Sequence, residues 1–265
     1  MTSPTTHLSI ESGVARLEFD NPPHNRLAPA MLASFDEAIT KIRQDSSVRA
    51  VIVSARGDNF SHGGDITFWP HVPPAEFQQR LAGAIERANL LEDLPVPTIA
   101  AVQGGCFGGG FEYALRCDII IAADNARFSH TEQTVGVFTL LGGVQRVADR
   151  AGRARAIKWA LTSERVSAAE MLSAGVVTEV VAPSDVMSRA REWAARFATG
   201  PTLAHAAHKK LLKAWSSGGI AAADAIMPGM TVGIFSSSDA KKGIASGIDA
   251  LQRGVERPVI PFDGK

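Results

Sequence analysis

Apolar and polar residues alternate with a period of two over residues 7–10 and 14–19, on either side of Glu11-Ser12-Gly13, which predicts a β-hairpin. After it the period changes. Pro29 stands just before Leu32, Phe35, Ile39 and Ile42, an apolar stripe at helical spacing that predicts a helix opened by the proline. Residues 48–54 form a nearly continuous apolar run of the kind found in strands covered on both faces. Phe77, Leu81, Ile85 and Ala88 then place a helix over 74–92. Pro95 and Pro97 punctuate the approach to a strand at 97–102, and residues 118–123 repeat the buried-strand pattern. Residues 127–130 read as a short extended piece and 176–181 as a last strand. Ser167 with Glu170 forms a capping box before a short helix. Helices follow at 184–198, 203–215 and 239–254, with Pro228-Gly229 predicted to interrupt the region between the last two. Strands alternating with helices imply an α/β fold. The division is an α/β core over residues 1–198 and a helical region over 199–265.

One stretch fits none of these periods. Residues 104–110 hold five glycines in seven positions, between the strand at 97–102 and a helix-compatible run from Tyr113 to Arg116. Each glycine costs about 0.5–1 kcal/mol relative to alanine inside a helix or strand. The stretch therefore serves a sharp turn, or a place where something lies directly on the backbone amides. Strand, glycine turn and helix start together make an anion-binding terminus, with free N–H groups and the positive end of the helix dipole. Glu112 stands two residues after the last glycine, Gly110. It reads equally as a functional carboxylate or as a dipole-matched residue beside a close-packed turn. A second glycine turn, Ser61-His62-Gly63-Gly64-Asp65-Ile66, follows the strand at 48–54.

Composition narrows the function classes. The 265 residues include 27 Lys+Arg and 27 Asp+Glu, a formal net charge of zero, which argues against a whole-protein field for nucleic acid. Cys106 and Cys117 are the only cysteines and fit free thiols in a reducing compartment. The polar lead from Met1 to Thr6 has neither a basic nor an apolar region of the secretory type. No unbroken apolar run is expected to approach the roughly 18 residues of a membrane span. The expectation is a soluble cytoplasmic protein with no membrane or nucleic-acid partner.

Four ordered segments resemble the crotonase superfamily, the enoyl-CoA hydratase/isomerase family. They are Asn21-Pro22-Pro23-His24-Asn25-Arg26-Leu27; Arg49 to Ser54 followed by Phe60 to Ile66; Pro97 to Gly104 with Gly108-Gly109-Gly110-Phe111-Glu112; and Ala126-Arg127-Phe128 through Glu132 to Gly142-Gly143-Val144-Gln145-Arg146. The resemblance implies a spiral of ββα turns with a C-terminal helical part used in trimerisation, and a homotrimer or a dimer of trimers. It implies an acyl-CoA substrate, with coenzyme A as part of that substrate and no separate cofactor or metal. The amides of Gly64 and Gly109 would form an oxyanion hole for a thioester enolate, and Glu112 and Glu132 would be the catalytic acid/base pair. Having both glutamates favours hydration of a 2-enoyl-CoA over isomerisation or C–C or thioester hydrolysis on the same fold. A non-catalytic RNA- or protein-binding homologue is the reading from a different class, and the zero net charge and the two glutamates count against it.

The further expected substrate-binding residues are Pro23, His24, Arg26, Ser61, His62, Asp65, Ile66, Trp69, Phe138 and Leu140. Residues 137–141 depart from the family's usual Pro-Gly and would make a bulkier wall. His62 and His130 flank the expected site, where each is either a packed histidine or a participant. Phe68-Trp69-Pro70 either lines the acyl pocket or packs in the core.

Overall fold

A computed structural model describes residues 3–265; Met1 and Thr2, the start of the polar lead, lie outside the described residues. The strands are β1 (Thr5–Glu11), β2 (Val14–Asp20), β3 (Ala50–Ala55), β4 (Thr98–Val102), β5 (Gly105–Phe107), β6 (Ile119–Ala123), β7 (Arg127–Ser129), β8 (Val166–Ser167) and β9 (Glu179–Val181). The helices are α1 (Pro29–Gln44), α2 (Pro74–Glu92), α3 (Gly109–Ala114), α4 (Gly143–Ala151), α5 (Arg153–Thr162), α6 (Ala168–Ser173), α7 (Val186–Ala198), α8 (Thr202–Phe235) and α9 (Ser238–Arg253).

Six strands form the main sheet in the order β1-β2-β3-β4-β6-β9. The first pair is the antiparallel hairpin, and every later neighbour is parallel. β3 and β4 are buried at every position, as expected for strands with cover on both faces. A second sheet, β5-β7-β8, stands apart from it. Thus each glycine turn leaves the main sheet and steps across to a second layer. Ser61 bridges Cys106 of β5, and Leu27 bridges Gly64. Residues 105–107, read from sequence as part of a turn, are a strand for this reason: the neighbouring β7 pairs with them.

Between the layers sits an aromatic cluster. Phe19, Phe35, Phe60 and Tyr113 meet with ring centroids 5.1–6.1 Å apart, mostly edge to face. α1 buries Met31, Phe35, Ala38, Ile39 and Ile42, the stripe expected from its spacing apart from Leu32, which is half-buried. Thr5 and Thr6 belong to β1 and not to a loose lead, and Thr6 hydrogen-bonds Met31 O from its hydroxyl at 3.0 Å.

The C-terminal region corrects two expectations. α8 runs unbroken through Pro228-Gly229; its break lies at Gly218-Gly219, where Gly219 takes φ 73° and ψ −168°. The break falls where a left-handed φ is needed, which glycine adopts at little cost. α8 is also long and apolar enough, by length and composition, to cross a membrane. This corrects the expectation that no stretch approaches that length; Asp224 and Pro228 interrupt the apolar residues of 220–235, so no unbroken run stands out in the sequence. The tail returns to the core: Arg49 at the foot of β3 donates to Phe262 O at 2.8 Å and Thr202 Oγ1 at 3.1 Å. Buried Asp239 accepts from the Asp263 and Gly264 amides at 2.8 and 2.9 Å.

Candidate active site

The two glycine turns press against each other. Gly63 has φ 85°, and a Cβ there would lie 2.9 Å from Phe107 O and 3.1 Å from the Gly109 nitrogen. The approach is fixed from below by Ser61, fully buried, whose hydroxyl donates to Asn25 O at 2.7 Å and accepts from the Gly63 amide at 3.1 Å. Leu27 takes up the flanking groups: its amide donates to Gly63 O at 2.8 Å, and its carbonyl accepts from Asp65 N at 3.3 Å. The amide between them, that of Gly64, has no acceptor among the described residues, and neither has Gly109, the first residue of α3. A Cβ on Gly109 would stand 3.6 Å from the Gly64 nitrogen. Two unspent donors thus sit side by side, and both residues line a cavity of about 720 Å³.

Two carboxyls border the same cavity. Glu112, on the first turn of α3, is 1% exposed, and its Oε1 accepts from the Leu141 and Gly143 amides at 2.8 and 2.9 Å. Burial raises its pKa, opposed by those two amides and by the Arg116 and Arg146 guanidinium groups. Glu132 opens a short 3₁₀ turn, Glu132–Val135, and is 8% exposed. Its Oε2 is buried with no hydrogen-bond partner among the described residues. Burial first, then the neighbouring charge of Glu112, pushes the Glu132 carboxyl up to about 7. The environments differ: two amides and two guanidinium groups favour the Glu112 anion against burial, whereas Glu132 has no such cation beside it and its Oε2 stands unpaired among the described residues.

A brace of charges holds the segment that faces Glu112. Arg116, with its side chain 1% exposed, donates to Leu141 O at 2.6 Å, to Asn89 Oδ1 at 2.6 Å and to Glu92 Oε2 at 3.0 Å. Arg146 reaches the same Glu92 and donates to Gly142 O at 3.1 Å. One face of the 141–143 backbone is thereby tied to the arginines while the amides of Leu141 and Gly143 point at Glu112. A Cβ on Gly143 would lie 2.6 Å from His130 Cε1 and 2.9 Å from Glu112 Cγ, so this close approach needs glycine.

The two histidines differ. His62 lines the cavity, stacked on His24 with centroids 4.4 Å apart and 18° between planes. Burial, then the nearby charges of His24, Arg26 and Arg165, holds its pKa below the ordinary histidine value. His130 is 1% exposed, lies behind Glu112 against Phe111, and has no partner for either ring nitrogen among the described residues. Burial holds it down to about 4, so it is a neutral imidazole at working pH.

Of the expected site residues, Arg26, His62, Gly64, Asp65, Ile66, Trp69, Gly109, Glu112, Glu132 and Leu140 line the cavity. Pro23, His24, Ser61 and Phe138 do not. Pro23 sits in an exposed turn at a cis Pro22-Pro23 bond, His24 backs His62, and Ser61 supports the Gly63 turn. Phe138 is 71% exposed; the bulk at 137–141 enters the wall through Val137, Leu140 and Leu141 instead. The expected site residues include none from α1 and α2, which supply further wall with Leu32, Asp36, Phe77, Leu81, Ala84 and Arg87. Nor do they include the Arg116–Glu92–Arg146 brace. The α1 and α2 residues were legible in principle as cavity-facing positions on helices already predicted, but the brace joins residues that only the fold brings together.

The sequence profile of the Enoyl-CoA hydratase/isomerase family matches residues 9–253. The chain belongs to that family. It is 34% identical over 221 residues to carnitinyl-CoA dehydratase of Proteus mirabilis (strain HI4320), a match covering 81% of this chain and 82% of that protein. A structure of enoyl-CoA hydratase subunit I from Geobacillus kaustophilus HTA426 superposes with a TM-score of 0.88 at 29% identity, covering 98% of both chains. An enoyl-CoA hydratase from Polaromonas sp. JS666 superposes at 0.86 and 27% identity, over 96% of this chain and 99% of that one. The fold is accordingly the α/β crotonase spiral with C-terminal helices, α8 is one of those family helices, and an acyl-CoA substrate is implied by the family.

Proposed function

We propose that this enzyme adds water reversibly across the 2,3 double bond of a 2-enoyl-CoA thioester. The observation that carries the reading is the convergence of two unspent amides and two unlike carboxyls on one cavity. The thioester oxygen accepts hydrogen bonds from the Gly64 and Gly109 amides. Glu112, as the carboxylate, takes a proton from water while the water oxygen bonds to C3. The π electrons of the double bond shift onto the thioester, and the enolate oxygen carries the charge against the two amides. Glu132 then delivers its proton to C2, and the enolate returns to the thioester. Preorganised donors of this kind are worth about 10²–10³-fold each, and general acid–base help about 10²–10⁴-fold. The curated relatives named carnitinyl-CoA dehydratase support a hydro-lyase over the other chemistries of the fold.

Assembly belongs to the same reading. The apolar residues left exposed on the C-terminal helices, among them Leu212, Ile220, Val232 and Phe235, fit burial between copies in a homotrimer or a dimer of trimers. The test of function is turnover of a panel of 2-enoyl-CoA esters, followed as loss of the conjugated thioester absorbance. The expected product is heavier by one water. Release of free coenzyme A, or a shifted double bond without water, would replace this reading with a hydrolase or an isomerase.

A further inference from the structure

The wall that α1 and α2 give the cavity is not all hydrocarbon. From the bridge between Leu27 and Gly64 the chain turns into α1, which lines the cavity with Leu32 and Ala33 and then with Asp36. Asp36 lies two turns into the helix, about 10 Å beyond its start at 1.5 Å per residue. α2 supplies the opposite wall with Phe77, Leu81 and Ala84, and then Arg87. Arg87 Nε is 2.7 Å from Asp36 Oδ2, and the pair is only partly covered, with side-chain exposures of 43% and 28%. Arg87 is the one cation within ion-pair distance of Asp36 among the described residues, and Asp36 the one carboxylate within that distance of Arg87. Arg80, the other cation of α2 on this wall, is occupied by Glu76 at 3.0 Å.

Resting on the acyl-CoA reading above, we infer that the acyl group ends in a neutral hydroxyl that donates to Asp36 Oδ1 and accepts from Arg87. An alkyl terminus pressed against this pair strips water from donors and acceptors and returns nothing. A terminal carboxylate meets the Asp36 oxygens, and a terminal cation meets Arg87. The pair carries no net charge, and after one contact a carboxylate still has lone pairs and a guanidinium still has N–H groups, so acceptor and donor stand side by side, which is the complement of a hydroxyl. Sites that hydrogen-bond a substrate hydroxyl discriminate strongly against the analogue without one; with the pair partly exposed, the preference is about tenfold and not the largest of that range.

The experiment compares CoA esters of matched medium length that end in methyl, hydroxyl, carboxylate or trimethylammonium. Binding of the saturated esters is measured by calorimetry and hydration of the 2-enoyl esters by kcat/KM. The expected result is a preference of about tenfold for hydroxyl over methyl in both. The double variant Asp36→Leu with Arg87→Leu, whose apolar pair keeps the helices packed, should reverse it, because replacing an ion pair by apolar residues is commonly tolerated. Arg87→Gln serves as the second variant and should weaken the preference. Equal binding of hydroxyl and methyl esters, a stronger preference for carboxylate or ammonium, or a hydroxyl preference that survives both variants would overturn the inference. The binding arm needs no chemistry, so a hydroxyl preference without hydration would count against the proposed reaction and leave this inference standing.

Discussion

Glu132 should make folding stability fall as pH rises towards neutrality, and Glu132→Gln should remove that dependence. The carboxyl titrates at about 7 in the folded chain against 4.5 as its ordinary value, because it is buried beside Glu112 with one oxygen unpaired. Between those two values the folded state holds a proton that the unfolded state has released. Stability is therefore full below the ordinary value, is lost progressively as pH rises to the folded one, and is flat above it. The shift corresponds to about 3 kcal/mol by neutral pH. The amide of the variant cannot ionise, so its own packing cost is the same at every pH and only the difference between the two proteins moves. The assay is urea unfolding at fixed protein concentration, followed by tryptophan fluorescence and extrapolated to water at a series of pH values. The variant's stability relative to the parent should rise by about 3 kcal/mol from pH ~4 to pH ~8. A difference that stays constant to within about 0.5 kcal/mol over that span would refute the claim that Glu132 is a desolvated acid.

Other outcomes follow from the same geometry. Arg116→Met removes a buried cation from Glu92, Asn89 and Leu141 O, and should cost about 3–5 kcal/mol by thermal unfolding. It should also move the acid limb of the pH–rate profile upwards, because Glu112 loses a positive neighbour; an unmoved limb would restrict Arg116 to stability. Gly63→Ala places a Cβ 2.9 Å from Phe107 O and should part the two glycine turns, lowering kcat by about 10²-fold while KM changes little in steady-state kinetics. Phe138→Ser, at a side chain outside the cavity, should change stability by no more than about 0.5 kcal/mol and leave kcat/KM as it was, checked by thermal melts and turnover.

What could be read from the chain was what local chemistry controls. α2 occupies the residues its period marked, and the hairpin forms around Ser12-Gly13, both with positive φ. The glycine turns announce themselves because five glycines in seven positions have no use inside an element. What could not be read depended on partners far along the chain. β5 looks like turn until β7 and Ser61 pair with it. α4 and α5 escaped notice because each is short, arginine-rich and only sparsely buried, so no long apolar stripe marks them. Phe138 looked like wall by composition, yet the chain around it turns its neighbours inward and leaves its ring in solvent. Arg116 looked like an ordinary polar position on a helix end; its meaning comes from Glu92 on α2 and from Leu141 beyond β7.

The division of labour between the two carboxyls is tested most directly by pairing two rates in Glu112→Gln and Glu132→Gln: hydration of a 2-enoyl-CoA, and uptake of deuterium at C2 from heavy water. Glu112→Gln should lower hydration by about 10²–10⁴-fold and keep measurable exchange at C2, because Glu132 still moves that proton. Glu132→Gln should abolish both. Hydration within about threefold of the parent in either variant, against the 10²–10⁴-fold expected of a positioned acid or base, would contradict the two-carboxylate account.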